Sequence, residues 1–155
     1  MAQDDLLAVA ERLTDISRGR PKQAYLRRAV SSTYYAVFHC LARCCADSLI
    51  GGKGAERSPE AWLHVYRSLD HGFPARQFRN SRFKSFPPAI QQFGRLFSEL
   101  QLKRNGADYD PSKTFEVSQV RMDIDFTRKT LAAFRKVDPR DRRAFAAFVL
   151  LKLRD

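Results

Sequence analysis

The stretch Leu26-Arg27-Arg28-Ala29-Val30-Ser31-Ser32-Thr33-Tyr34-Tyr35-Ala36-Val37-Phe38-His39 lies inside one long helical pattern, which starts near Lys22 and runs to about Leu49. Gly19 and Pro21 break the chain before it. Tyr25, Ala29, Ser32, Ala36 and Cys40 recur along one narrow stripe of mostly small side chains. Small residues let a second helix come close.

Working outward, Leu6, Val9, Leu13 and Ile16 fall three and four apart and predict an inward helix face over Asp4 to Ile16. On the other side, Gly51, Gly52 and Gly54 form a connection. Ser58-Pro59 is an N-cap followed by proline at the first helical position, and Trp62, Val65, Tyr66 and Leu69 carry a third helix that is expected to stop at Gly72. The run from Phe73 to Pro87 reads as mostly irregular. Ile90, Phe93, Leu96, Phe97 and Leu100 give a fourth helix that ends in Lys103 and Arg104 and is closed by Gly106. Asp110-Pro111-Ser112 is turn chemistry. Val117, Val120, Ile124, Leu131 and Phe134 mark a long fifth helix, and Asp138-Pro139 starts a sixth with Phe145, Phe148 and Val149 inward. With no repeat and no alternating strand pattern, the chain reads as one all-α domain over residues 1–155, an antiparallel bundle of about five to six helices.

The chain has 155 residues, 28 Lys plus Arg against 17 Asp plus Glu, and a formal charge of +11. Such an excess repels itself until a polyanion or counterions screen it, which makes RNA, DNA or an acidic protein natural partners. Met1 to Asp5 is polar and acidic, and no run reaches the ~18 apolar residues that would span a bilayer. A soluble cytoplasmic protein without membrane attachment is expected. Cys40, Cys44 and Cys45 crowd one helical segment where no sensible disulfide forms, which suits a reducing compartment.

The Leu26–His39 stretch, with its Arg-Ala, Tyr-Tyr-Ala and Phe-His pattern, and the later run Arg104-Asn105-Gly106-Ala107-Asp108-Tyr109-Asp110-Pro111 together resemble a HEPN domain over roughly Asp4 to Phe134. In the ribonucleases of that family an Arg, usually followed by a polar residue, precedes a His by four to six positions, and two such motifs meet across a dimer. Arg104 and Asn105 match the start of that motif, and Tyr109, Asp110 and Pro111 stand where His would fall. The chain therefore departs from the pattern at the residue that would move the proton.

The resemblance implies an RNA-binding protein of a defence or toxin–antitoxin type system, with Arg104 on the phosphate. The alternatives are an active metal-independent ribonuclease toxin restrained by a nucleotidyltransferase-like antitoxin, or a non-catalytic basic partner protein. No cofactor is implied. Metal-independent RNA cleavage needs a deprotonated 2′-hydroxyl, a stabilised phosphate charge and a protonated leaving oxygen. Tyr109 is a poor base at neutral pH, and Asp108 is a better base that repels phosphate. Arg104 and Asp108 can equally pair with each other while Tyr109 packs on the bundle. Arg28, Ser31 and Tyr35 are candidates to support the Arg104 segment, with ordinary core packing as the other reading.

Between Phe73 and Phe86, aromatic residues alternate with Arg76, Arg79, Arg82 and Lys84, a pattern that single-stranded RNA binding uses. The same phenylalanines can instead anchor the segment while the cations stay solvated. His39, Cys40 and Cys44 lack a second ligand pair, so core thiols are expected in place of a zinc site. His64 and His71, seven apart, are able to share a helix face and are given no role. The apolar run Phe145 to Leu151 suggests packing on the bundle or a second subunit, and a homodimer is expected.

Overall fold

The long central helix forms, and it is enclosed on nearly every side. In the computed structural model, which describes residues 3–16 and 22–154, the elements are α1 (Gln3–Ile16), α2 (Gln23–Leu49), α3 (Pro59–Ser68), α4 (Gly72–Gln77), a 3-10 turn (Ser81–Ser85), α5 (Pro88–Tyr109), α6 (Val117–Arg135) and α7 (Pro139–Leu150). The protein is an all-helical bundle, with no strand among the described residues. Among the described residues there are seven α-helices, beside about five to six expected.

Helix α2 packs against α1, α3, α5, α6 and α7. Of its 27 residues 16 are buried, among them Ser31, Ser32 and Thr33, so the buried surface is broader than the expected narrow stripe. Ala29, Ser32, Ala36 and Cys40 are buried and Tyr25 is half-buried.

The inward face of α1 differs from the expected one. Leu7, Ala10 and Thr14 are buried, whereas Val9 is 48% and Ile16 58% exposed. Spacings of three and four fit two registers one residue apart. The smaller side chain decides between them, because Ala10 shares a cluster with Leu26, Ala29 and Val30, where small faces small and the helices close up.

Two further corrections concern helix ends. Gly72 does not end α3; it opens α4, and among the described glycines only Gly51 and Gly54 have positive φ. The Asp70 carboxylate accepts from the Phe73 amide at 3.1 Å and also from the Gly72 amide, so it starts a new helix there. The run from Phe73 to Pro87 is therefore mostly helical turns. Helix α5, in turn, does not stop at Arg104 but passes through Gly106 to Tyr109. The Arg104–Tyr109 stretch lies on a helix, not in a loop.

Aromatic side chains fill the far end of the bundle. Phe83 is buried, Phe78 and Phe86 are half-buried, and their rings meet those of Phe145 and Phe148 on α7. Phe93 stacks on Phe134 with centroids 4.2 Å apart. The apolar run of α7 is thus used inside the chain, with Phe145, Ala146 and Val149 buried, and does not itself call for a second subunit.

Gly94 on α5 is where this aromatic layer comes closest. A Cβ there would lie 2.4 Å from Phe83 Cζ and 3.1 Å from Phe78. Gly94→Ala is expected to lower the unfolding free energy by about 1–3 kcal/mol through overpacking, against a helix-propensity gain of at most about 1 kcal/mol. Urea denaturation of the two proteins measures the difference; a stabilised variant would contradict the close approach.

Candidate functional site

The C-terminal end of α5 is held from below by two side chains of α2. Arg27 donates through Nη1 to the carbonyls of Ala107 and Asp110, each at 2.9 Å, and through Nη2 to those of Pro111, at 3.3 Å, and Lys113. These oxygens have no partner within the helix, and a cation suits the carbonyl end. Gln23 clamps the next stretch, its Nε2 donating to the Phe115 carbonyl at 3.0 Å and its Oε1 accepting from the Phe115 amide at 2.8 Å. Asp110 closes the expected turn by accepting from the Ser112 amide at 2.9 Å.

On the helix so fixed, Arg104 points inward and is 9% exposed. Its guanidinium carbon lies 5.0 Å from the centre of the Tyr34 ring and 5.9 Å from that of Tyr35, in cation–π range of both. Asp108, one turn further on, approaches Nη1 at 3.8 Å, a long ion pair. Arg104 Nε is enclosed and makes no hydrogen bond. A buried polar atom left unpaired costs about 1–3 kcal/mol, and such groups in native folds invite a functional explanation.

His71 completes the arrangement from a third element. It stands at the N-cap of α4, its Nδ1 is 2.7 Å from the Tyr34 hydroxyl, and its ring stacks on Phe38 with centroids 4.1 Å apart and an interplanar angle of 12°. Gln101 of α5 donates to the His71 carbonyl. Burial, together with the Arg104 charge, holds the imidazole below its ordinary pKa of 6.5, so it is neutral at neutral pH. Burial pushes the Tyr34 hydroxyl far up, only partly opposed by Arg104. Behind Tyr35, His39 Nδ1 pairs with the Tyr66 hydroxyl at 2.6 Å, and burial lowers its pKa too. One face of α2 therefore brings together a fixed cation and a fixed neutral imidazole that share Tyr34. That pair is able to hold a phosphate oxygen and to accept a proton.

No family model matches the chain, and no curated protein or solved structure does either.

The sequence-derived site residues are partly brought together. Tyr35 is half-buried beside Arg104, and Ser31 is buried one turn away on α2. Arg28 is exposed, and its neighbour Arg27 does the supporting. Asn105 and Tyr109 lie on the outer side of α5, and Tyr109 is 76% exposed and does not pack on the bundle. Asp108 meets Arg104, as the pairing alternative has it. In the Phe73–Phe86 segment Arg76, Arg79, Arg82 and Lys84 are all exposed, while Phe83 is buried and Phe78 and Phe86 join the aromatic layer.

His71 was missed because its partner Tyr34 is 37 positions earlier in the chain, and no spacing rule links them. It does not share a face with the exposed His64 of α3, since α3 ends at Ser68. Among the described residues no three His, Cys, Asp or Glu side chains converge as metal ligands would. Cys40 is buried, with its thiol pushed up to about 12.

The lowered imidazole pKa values fix a pH dependence. The unfolded chain binds protons at His39 and His71 that the folded chain does not, so stability is present above about pH 6.5 and declines as pH falls below it. Acidification from about pH 7.5 to 5.5 is expected to lower the melting temperature, and to lower it less in His71→Gln. An equal fall in both proteins would contradict a neutral buried imidazole.

Proposed function

We propose that this chain is an RNA-binding domain of the HEPN type, in which Arg104 meets a phosphate of the RNA backbone. The observation that supports this most is the incompletely paired guanidinium of Arg104, held against Tyr34 and Tyr35 with Nε unpartnered. An anion at the exposed edge of the guanidinium supplies charge-assisted hydrogen bonds to its Nη groups, where the Asp108 contact is long. The excess of 28 Lys plus Arg over 17 Asp plus Glu, with Arg76, Arg79, Arg82 and Lys84 exposed, adds the sequence-independent attraction on which RNA binding relies. The setting we favour is a defence or toxin–antitoxin type system, with a nucleotidyltransferase-like antitoxin as partner.

A second reading, a metal-independent ribonuclease, draws on His71. The imidazole, absent at the motif's usual position, comes from the start of α4. A neutral imidazole there takes the proton of the 2′-hydroxyl, the 2′-oxygen attacks phosphorus, Arg104 stabilises the charge on the phosphate oxygens, and the 5′-oxygen leaves with a proton from water.

One experiment separates the two readings: labelled total RNA with wild type, Arg104→Ala and His71→Ala at low and moderate salt. Wild type is expected to bind with steep salt dependence, and Arg104→Ala to bind about tenfold or more weakly. Cleavage lost in both variants, with binding kept in His71→Ala, selects the ribonuclease. Absence of both binding and cleavage removes the RNA reading.

The expected homodimer is proposed to use the outer side of α5, where Leu102, 73% exposed, Asn105 and Tyr109 share a face at spacings of three and four. This contact would bring two Arg104 segments together. Leu102→Glu is expected to keep full helicity by circular dichroism and to halve the mass seen by light scattering; a monomeric wild type would refute the contact.

A further inference from the structure

A second cluster of arginines lines a cleft that shares no residue with the Arg104 arrangement. The cleft, about 610 Å³, is walled by the start of α1, the second half of α2, the end of α6 and the start of α7. Arg43, Arg135, Arg142 and Arg143 line it, with Asp4 and Asp47 as the carboxylates among its described lining residues.

Both carboxylates are already committed. Asp4 pairs with Arg135 at 3.3 Å, and Asp47 accepts from Arg57 at 3.1 Å and from Trp62 Nε1 at 2.8 Å. Arg43, Arg142 and Arg143 form no ion pair among the described residues. Moreover, Nε of Arg43 and Nε of Arg142 are enclosed without a hydrogen-bond partner. Arg142 and Arg143 also lie near the start of α7, where the helix dipole already adds positive potential and favours an anion. A fold that brings three unpaired guanidinium groups to one concavity carries a cost that a bound anion relieves.

The size and lining narrow the ligand. A site of this volume falls in the range of small-molecule pockets and is larger than an inorganic phosphate needs. Phe134, Pro139, Cys40 and Cys44 supply an apolar wall. Burial holds both of these thiols above their ordinary pKa, so the wall stays uncharged and does not repel a dianion. The planar fork of arginine matches phosphate oxygens two at a time.

We propose that this cleft binds a nucleotide-sized phosphate monoester, with its phosphate between Arg43 and Arg142 and its organic part on the Phe134–Pro139 wall. Two sources present that chemistry, a free nucleoside monophosphate and the 5′-phosphate end of an RNA. The inference stands apart from the Arg104 reading, because the two sites use different residues.

Calorimetric titration with AMP, with inorganic phosphate, and with a short oligoribonucleotide bearing either a 5′-phosphate or a 5′-hydroxyl tests it. One AMP per chain is expected, with inorganic phosphate about tenfold or more weaker because it leaves the apolar wall empty. Arg142→Gln is expected to weaken AMP by about tenfold or more, while Arg140→Gln, on the same turn of α7 but outside the cleft, and Arg104→Ala leave it unchanged. Arg143→Gln, at an exposed position, gives the same direction should Arg142→Gln fail to fold. In the Arg104→Ala protein, tighter binding of the 5′-phosphorylated oligonucleotide than of both AMP and the 5′-hydroxyl form identifies the RNA end as the source, and tighter binding of AMP identifies the free nucleotide. The proposal is overturned if AMP does not bind, if Arg142→Gln and Arg143→Gln bind it as wild type does, or if Arg104→Ala abolishes AMP binding.

Discussion

A helix surrounded by others has to offer every neighbour a surface, and α2 meets that demand with side chains that are small or flat. Ala29, Ala36, Ala42 and Ala46 are buried along it beside Tyr34 and Phe38, so adjacent helices approach closely at the alanines and rings fill the wider gaps. The rest of the bundle follows from this. Helix α1 turns to set Ala10 against Ala29 and Leu26, and Arg104 on α5 finds two aromatic faces because Tyr34 and Tyr35 leave α2 about 100° apart and both flank it.

The buried and half-buried arginines fall into two kinds. Arg27 spends its guanidinium on the carbonyls at the end of α5, and replaces hydrogen bonds that the helix end otherwise lacks. Arg104, Arg43 and Arg142 each keep an enclosed Nε without a partner. The first kind is fully paired within the fold; in the second, Arg104 has the Tyr34 and Tyr35 rings and Asp108 as partners and yet keeps one donor unused.

Most of the helices were legible in the sequence because their apolar spacing is long and regular. Ile90, Phe93, Leu96, Phe97 and Leu100 are all buried as their period requires. The errors lie where a local signal is overruled by a distant group. Gly106 reads as a stop, yet Arg27, 79 positions earlier, lies against its carbonyl at 3.4 Å and caps the turn that follows. Gly72 reads as a helix end, yet the Asp70 side chain turns it into a helix start. In the candidate site, Arg104 and Tyr35 were named from the resemblance, and the structure sets them side by side. His71 was not, since its position depends on how α4 returns to α2, which no periodicity encodes. Arg27 and Arg28 lie one residue apart on the helix, a 100° turn, and only packing decides that Arg27 reaches the end of α5 while Arg28 is exposed.

Cys40, Cys44 and Cys45 are all free and all buried on α2. A thiol reagent attacks the thiolate, and burial pushes each of these thiols away from that form. Cys45, which lies outside the arginine-lined cleft, is therefore silent while α2 is enclosed and becomes reactive only when its neighbours part. Its alkylation rate thus acts as a built-in clock for the opening of the central helix, and it needs no added label.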